Sequence, residues 1–319
     1  MKLIIQPDEG IKPLMKAVRT AKRSIDLVVF RFDRTDLEKA LGAAVARGVA
    51  VRMLTAHHNS AGEKRLRELE SRLLEAGVTV TRTSDDLPRY HGKMTIIDGA
   101  AYILGFNYTR QDIEESRSFG LVTRDKKLVK EATRLFEADS TRQPWEPADK
   151  RLVVSPENSR QRLTDFIRSA RKELLIYDQR ITDKLILRLL KERLEAGVEI
   201  RVIGKIDKSA EGISSCKPGD LRLHVRAMVR DGSAVFIGSQ SLRKNELDAR
   251  REIGLIVTDR RMAAKVRAVF EADWANGRVK GKDIAEVEMK AEAKTIKAEV
   301  KAEIKAENKA EEKEATSVA

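Results

Sequence analysis

The chain has 319 residues and a mass of 35.9 kDa, about twice an average domain, so one large or two medium domains with real cores are expected. With 41% hydrophobic and 35% charged residues it is neither a disordered chain nor an integral membrane protein, because no run of about 18 uncharged apolar residues occurs. A formal net charge of +13 and a pI near 9.7 point to an anionic partner, either nucleic acid or an anionic lipid surface.

In chain order, the opening MKLIIQPDEG reaches Asp8 and Glu9 before the apolar stretch of a signal peptide can form, so a cytoplasmic location is expected. A helix from Ile11 to Lys22 leads into an apolar strand, Ile25 to Phe30. A second amphipathic helix then ends at Gly48 and feeds a β-branched run, the signature of an αβ unit. The segment Ala56 to Arg89 follows, opened by His57 and His58, which read as a solvated loop. Next come HGKMTIIDG from His91, an apolar run to Gly105, the strand FGLVT at Phe119 and the helix VKEATRLFEAD. Thr141 to Asn158, with Pro144, Pro147 and Pro156, reads as a linker.

The same series then starts again. Arg160 to Lys172 and Leu174 to Tyr177 repeat the first helix and strand, and a second helix ends at Gly197. HVRAMVRDG from His224, a run to Gly238, IGLIVTD at Ile253 and AAKVRAVFEAD complete the copy. The offset is 149 residues at Gly48/Gly197 and 133 at His91/His224, so the first copy carries the insertion. Lone Cys216 forms no internal disulfide and suits a reducing compartment. Residues 281–319 hold eight Lys against ten Asp or Glu, which leaves residues 1–280 with 55 basic and 40 acidic side chains, a net of +15. Ala, Glu and Lys in a four-residue period make that tail a solvated helix with no sustained apolar seam. The expected boundaries are residues 1–140 and 159–280 for the repeats, 141–158 for the linker and 281–319 for the tail. Such a duplication implies an α/β protein of two similar α/β halves packed about a pseudo-twofold axis, a monomer that mimics a dimer.

Two of the four histidines, His91 and His224, fall at equivalent positions. In His-x-Lys-x4-Asp, His91 and Lys93 share a strand face. A neutral imidazole beside a fixed cation suits attack on a phosphoester, with the cation holding the non-bridging oxygens. Two such faces would supply a nucleophile and a general acid without metal or other cofactor. The second copy, His224-x-Arg226-x4-Asp231, keeps the cation as a guanidinium that can clamp phosphate.

These residues resemble the phospholipase D superfamily, whose motif is HxKx4D followed by GSxN. HGKMTIID with GFNYT from Gly105, and HVRAMVRD with GSQSL from Gly238, carry the resemblance over about residues 1–275, and it implies a fold of two α/β/α repeats with mixed sheets and one active site at their interface. It implies a catalytic set of His91, His224, Lys93, Arg226, Asp98 and Asp231, one histidine becoming a phosphohistidine, with His91 favoured, and the other protonating the leaving group. Asn107, Ser239 beside Gly238, and Ser241 are the implied phosphate ligands. The implied activity is phosphodiester hydrolysis or phosphatidyl transfer, similar to soluble cardiolipin-synthase-like proteins. A nuclease acting on DNA or RNA, and a silent phosphate-binding homologue, remain open, as does peripheral membrane contact. Departures from the motif are Arg226 for Lys, Ser241 for Asn, and a first hairpin one residue short. A carboxylate that orients the histidine is implied before the post-motif strand; Glu252 fits in the second half but Ser118 stands in the first, so His91 is expected to be the less constrained ring.

Other readings of single residues are structural. Asp98-Gly99 and Asp231-Gly232 suit β-turns, and Glu252, between Arg251 and Ile253, suits a surface ion pair with Arg250 or Arg251. Trp145 and Trp274 read as packing anchors. Aromatics at 4% make a poor single-strand stacking platform, and neither a Walker A loop nor GxGxxG is present.

Overall fold

A computed structural model describes residues 1–57 and 63–279; the expectations for His58 and for the tail fall outside the described residues. The first half runs β1 (Lys2–Gln6), α1 (Lys12–Thr20), β2 (Ser24–Val29), α2 (Thr35–Ala46), β3 (Ala50–Thr55), α3 (Glu63–Glu75), β4 (Thr79–Arg82), β5 (Met94–Ile97), β6 (Ala100–Leu104), α4 (Arg110–Glu114), β7 (Ser116–Thr123) and α5 (Lys126–Thr141). The second runs β8 (Leu152–Ser155), α6 (Ser159–Arg168), β9 (Glu173–Ile181), α7 (Lys184–Glu195), β10 (Glu199–Ile206), β11 (Ser214–Lys217), β12 (Arg222–Leu223), β13 (Arg226–Arg230), β14 (Ala234–Gly238), α8 (Lys244–Asp248), β15 (Glu252–Thr258) and α9 (Arg260–Ala275). Both halves lie within one compact unit, Met1–Arg278.

Each half builds a mixed sheet. The first is ordered β1-β7-β6-β5-β2-β3-β4, and the second contains the matching path β8-β15-β14-β13-β9-β10-β11. β2, β3 and β4 pair in parallel, as do β9, β10 and β11, and the remaining ladders on these paths are antiparallel. Because β11 matches β4 and no helix lies between β10 and β11, the extra residues between Ala56 and Arg89 supply α3, whose Leu66, Leu69 and Leu73 are buried.

Local chemistry accounts for the element ends. Gly48 and Gly197 take φ of +85° and +83° just after α2 and α7, the left-handed region where a side chain costs energy, and so turn each helix into the next strand. Asp125, Asp183 and Asp259 accept two backbone N–H groups apiece at the starts of α5, α7 and α9, satisfying donors that a helix leaves open.

Both sheet faces are covered, so the central strands read as unbroken apolar runs such as AAYIL and AVFIG. Residues of α1 to α4 cover one face of the first sheet and those of α6 to α8 one face of the second. A third cluster joins the halves, with Phe119, Tyr177, Val225 and Ile253 from the sheets packed among Leu135 and Phe136 of α5 and Val266 and Phe270 of α9. Trp145 is buried in this cluster, and Trp274 packs against it while stacking on Phe270 at 5.8 Å.

The motif hairpins differ by one residue. Ile97 pairs with Ala100 across Asp98-Gly99, whereas Arg230 pairs with Ala234 across Asp231-Gly232-Ser233.

Candidate active site

The histidine segments meet the opposite halves through two matching bridges. The N–H of His91 donates to the Arg251 carbonyl at 2.7 Å, and that of Arg251 to the Arg89 carbonyl at 2.9 Å. In the pseudo-equivalent place, His224 N–H donates to the Arg117 carbonyl at 3.2 Å, and β12 pairs in parallel with β7 through Arg222/Ser116 and Leu223/Arg117. Each bridge is held by an ion pair, buried in one case and partly buried in the other. Arg251 and Tyr90 bond Asp139 at 3.0 and 2.6 Å, while Arg117 and Tyr177 bond Asp273 at 2.8 and 2.6 Å. Gly92 permits the close approach, since a Cβ there would meet Ile253 at 2.6 Å.

Glu252 follows Arg251, and its Oε2 lies 2.9 Å from His91 Nδ1. The expectation that Ser118 leaves His91 the less constrained ring is therefore corrected: the carboxylate beside His91 crosses from the other half. Glu252 is 0% exposed, so it is no surface ion pair. A carboxylate acceptor places the proton on Nδ1 and leaves the Nε2 lone pair available. Phe30 packs edge-on against the His91 ring at 4.8 Å.

Two buried cations stand with the rings. Lys93, 0% exposed, spends one donor on the His91 carbonyl at 2.6 Å. Arg226 gives Nη2 to Gln179 Oε1 at 2.8 Å, while its buried Nε and Nη1 have no hydrogen-bond partner. Unsatisfied buried guanidinium donors are costly and mark a place for an anion. Burial, then the Lys93 and Arg226 charges, hold His91 well below the ordinary histidine range. Burial, then Arg226, does the same to His224, against the pull of Asp112. Burial also brings Lys93 down to about 7 and raises Glu252. Lys93 of one half acts on His224 of the other, and Arg226 on His91, so both rings share one field.

The remaining candidates are placed differently. The carboxylate of Asp98 accepts the N–H groups of Lys22, Arg23 and Ser24 at 2.7, 2.9 and 3.1 Å, and Asp231 accepts those of Arg171, Lys172 and Glu173. Both sit in turns at φ of +46° and +52°, at the end of the strand remote from the histidine. The structure therefore does not bring Asp98 and Asp231 to the histidines; the short strand between them and the ring forces this separation. Ser239 Oγ accepts the Ile253 N–H at 3.0 Å, and the Ser241 hydroxyl donates to buried Asp178. Asn107 Nδ2 donates to Asp112 at 2.6 Å. Sequence reasoning missed Asp112, Asp178 and Gln179. No motif spacing marks them, and the retained signal was only that Arg226 and Ser241 break the pattern. Among the described residues, no three His, Cys, Asp or Glu side chains converge as a metal-ligand set.

The sequence profile of the family described as "Cardiolipin synthase, PLD-like domain" matches residues 14–140 and 207–274, taking in both histidine segments. The chain belongs to the phospholipase D-like family. Among its relatives, the mitochondrial cardiolipin hydrolase of Xenopus tropicalis is 30% identical over 153 residues, covering 47% of this chain and 70% of that protein. The Homo sapiens mitochondrial cardiolipin hydrolase is 32% identical over 126 residues, or 39% of this chain and 48% of that protein. Polyphosphate kinase from Porphyromonas gingivalis superposes with a TM-score of 0.72 at 21% identity, covering 88% of this chain and 50% of that one. Phosphatidylserine synthase from Haemophilus influenzae Rd KW20 gives 0.68 at 11% identity, covering 93% of each chain. These likenesses show the fold, an α/β protein whose two mixed sheets match two repeats. Among the described residues, no helix is long and apolar enough to cross a membrane.

Proposed function

We propose that this phospholipase D-like protein is a phosphodiesterase acting on phospholipid, by hydrolysis or phosphatidyl transfer, through a phosphohistidine on His91. The observation that supports it most is the buried His91 imidazole, fixed by Glu252 from the other half beside the underused donors of Lys93 and Arg226. Names of the cardiolipin hydrolase relatives favour the lipid substrate.

A bound phosphodiester sets its negative charge against Lys93, Arg226 and both rings, and offsets the burial and the Arg226 charge that hold His224 neutral. His224 therefore takes up a proton as substrate binds. Nε2 of His91 attacks phosphorus and a P–N bond forms; the P–O bond to the leaving group breaks, and the alkoxide takes the His224 proton. Lys93 and the free Arg226 donors hold the oxygens where charge develops. A water, deprotonated by His224, then displaces His91 to give the phosphomonoester. An alcohol in place of water gives transfer.

The test is hydrolysis of bis(4-nitrophenyl) phosphate and of cardiolipin vesicles in EDTA. Activity is expected in the wild type and absent in His91→Ala and His224→Ala. Activity that survives both substitutions would sink the mechanism. Phosphate from labelled substrate should be trapped on His91 after alkaline denaturation. A nucleic-acid substrate is the second reading, supported by the net +15 of residues 1–280; it requires DNA or RNA cleavage lost in the same variants and binding that weakens steeply with salt.

A further inference from the structure

The internal symmetry makes a demand that the first half does not meet in the same way. Glu252 opposes Ser155 in the β15–β8 ladder, and Ser118 opposes Gln6 in the corresponding β7–β1 ladder. Glu252 reaches the histidine of the other half, whereas the Ser118 hydroxyl is shorter, uncharged and buried without a hydrogen-bond partner. A different element carries a carboxylate to His224. Oδ2 of Asp112, in α4, lies 3.5 Å from His224 Nδ1.

Asp112 is held as a positioned group is held. It is 3% exposed. Its Oδ2 accepts the Asn107 backbone N–H at 2.9 Å and side-chain Nδ2 at 2.6 Å, and its Oδ1 accepts Arg222 Nη1 at 2.7 Å. Arg222 lies in β12, the strand that bridges the halves beside His224. We infer that Asp112 is the positioning residue for His224, replacing from α4 the carboxylate that Ser118 does not supply. Movement of about half an ångström brings the ring to hydrogen-bond length. The groups that act on the ring are Arg226 of β13, Lys93 ahead of β5, Arg222 of β12 and Asp112 itself, and Asp112 is the acceptor among them. Asn107 then works through Asp112 as well as through any phosphate it meets.

The inference rests on His224 being a working residue of the proposed site, and its test reads the ring separately from turnover. In protein carrying 15N-labelled histidine, with His224→Gln used for assignment, neutral His224 is expected as the Nδ1–H tautomer. Asp112→Asn should shift it to Nε2–H and lower bis(4-nitrophenyl) phosphate turnover about 10- to 100-fold. Adding Ser118→Glu to Asp112→Asn should restore the Nδ1–H signal and part of the activity, because residue 118 matches Glu252. A wild-type His224 found as Nε2–H overturns the inference even if Asp112→Asn does not fold, and so does an Asp112→Asn spectrum identical to wild type. The expected tautomers in an enzyme that cleaves no phosphodiester would uphold Asp112 and refute the proposed function.

Discussion

Lys93 is an amine placed where water does not reach, and that burial brings its pKa down to about 7. Unfolded chains keep this lysine charged to its ordinary value of 10.5, so between about pH 7 and 10 the unfolded state binds more protons than the folded state. Stability therefore rises with pH across that window. Lys93→Met removes the buried charge and is expected to raise the melting temperature by several degrees at pH 6 to 7, with the gain vanishing near pH 10, while hydrolysis is lost. Thermal denaturation from pH 6 to 10 checks both the sign and the window. An anion in the site pairs the charge and reverses the penalty, so inorganic phosphate binding at pH 8 should draw protons from solution. Calorimetry in two buffers of different ionisation enthalpy measures that uptake, and Lys93→Met should reduce it. Glu252 is buried as well, and its Gln variant keeps the shape but replaces an acceptor-only carboxylate with an amide that can also donate, so the His91 tautomer is no longer selected. A fall in kcat of at least about 100-fold is expected for Glu252→Gln, with a smaller change in KM.

At the scale of elements, the two β-hairpins that carry the motif are tied down at their turns. Asp98 collects three N–H groups from the entry to β2, and Asp231 does the same at the entry to β9. Burial alone raises the Asp98 carboxyl, but those backbone donors outweigh it and hold it below 3.8. A depressed carboxylate contributes stability above its unfolded pKa and loses it as pH falls through the folded value. Asp98→Ala should therefore cost about 1–3 kcal/mol at pH 7, with the difference from wild type shrinking below pH 3.8. Urea denaturation at several pH values reads this, and turnover per folded molecule should hold. The turn reading of Asp-Gly was available from the residues alone, because a left-handed aspartate before glycine is local chemistry. So was the shorter first hairpin, which needed only counting. The motif's spacing suggested instead that its aspartates share the histidine's task, and spacing along a strand does not say which end faces a site.

Across the whole molecule, the paired bridges make each half complete the other. Arg251 with Asp139 is a buried ion pair and Arg117 with Asp273 a partly buried one, each holding one bridge between the halves. Removing Asp139 takes from Arg251 the acceptor of its Nη2 and from Tyr90 its partner while Glu157 still holds Nη1, and Asp139→Ala is expected to destabilise by about 1–3 kcal/mol. Because the Arg251 backbone also holds His91 and precedes Glu252, kcat should fall as well. The Asp139→Ala/Asp273→Ala double variant should depart from additivity if the two clamps act on one interface. Denaturation midpoints for the four proteins supply the cycle; strict additivity would show that the clamps are independent.

The sequence by itself determined the duplication, the shared series of helices and strands around the two histidine segments, the placement of one histidine and one cation in each half, and the turn chemistry. Those features are periodicities and short motifs, and their causes act within a few residues. The sequence missed β1, α3, β4, the short helices α4 and α8, and β8, which lies in the stretch read as a linker. Only the tertiary structure decided which carboxylate serves which ring. Glu252 reaches His91 across 161 residues of chain, and Asp112, not Ser118, stands beside His224. Asn107, Ser239 and Ser241 likewise spend hydrogen bonds on neighbours that no spacing reveals. The physical reason is that hydrogen-bond partners are chosen by distance in space, and the packing of one half against the other sets those distances.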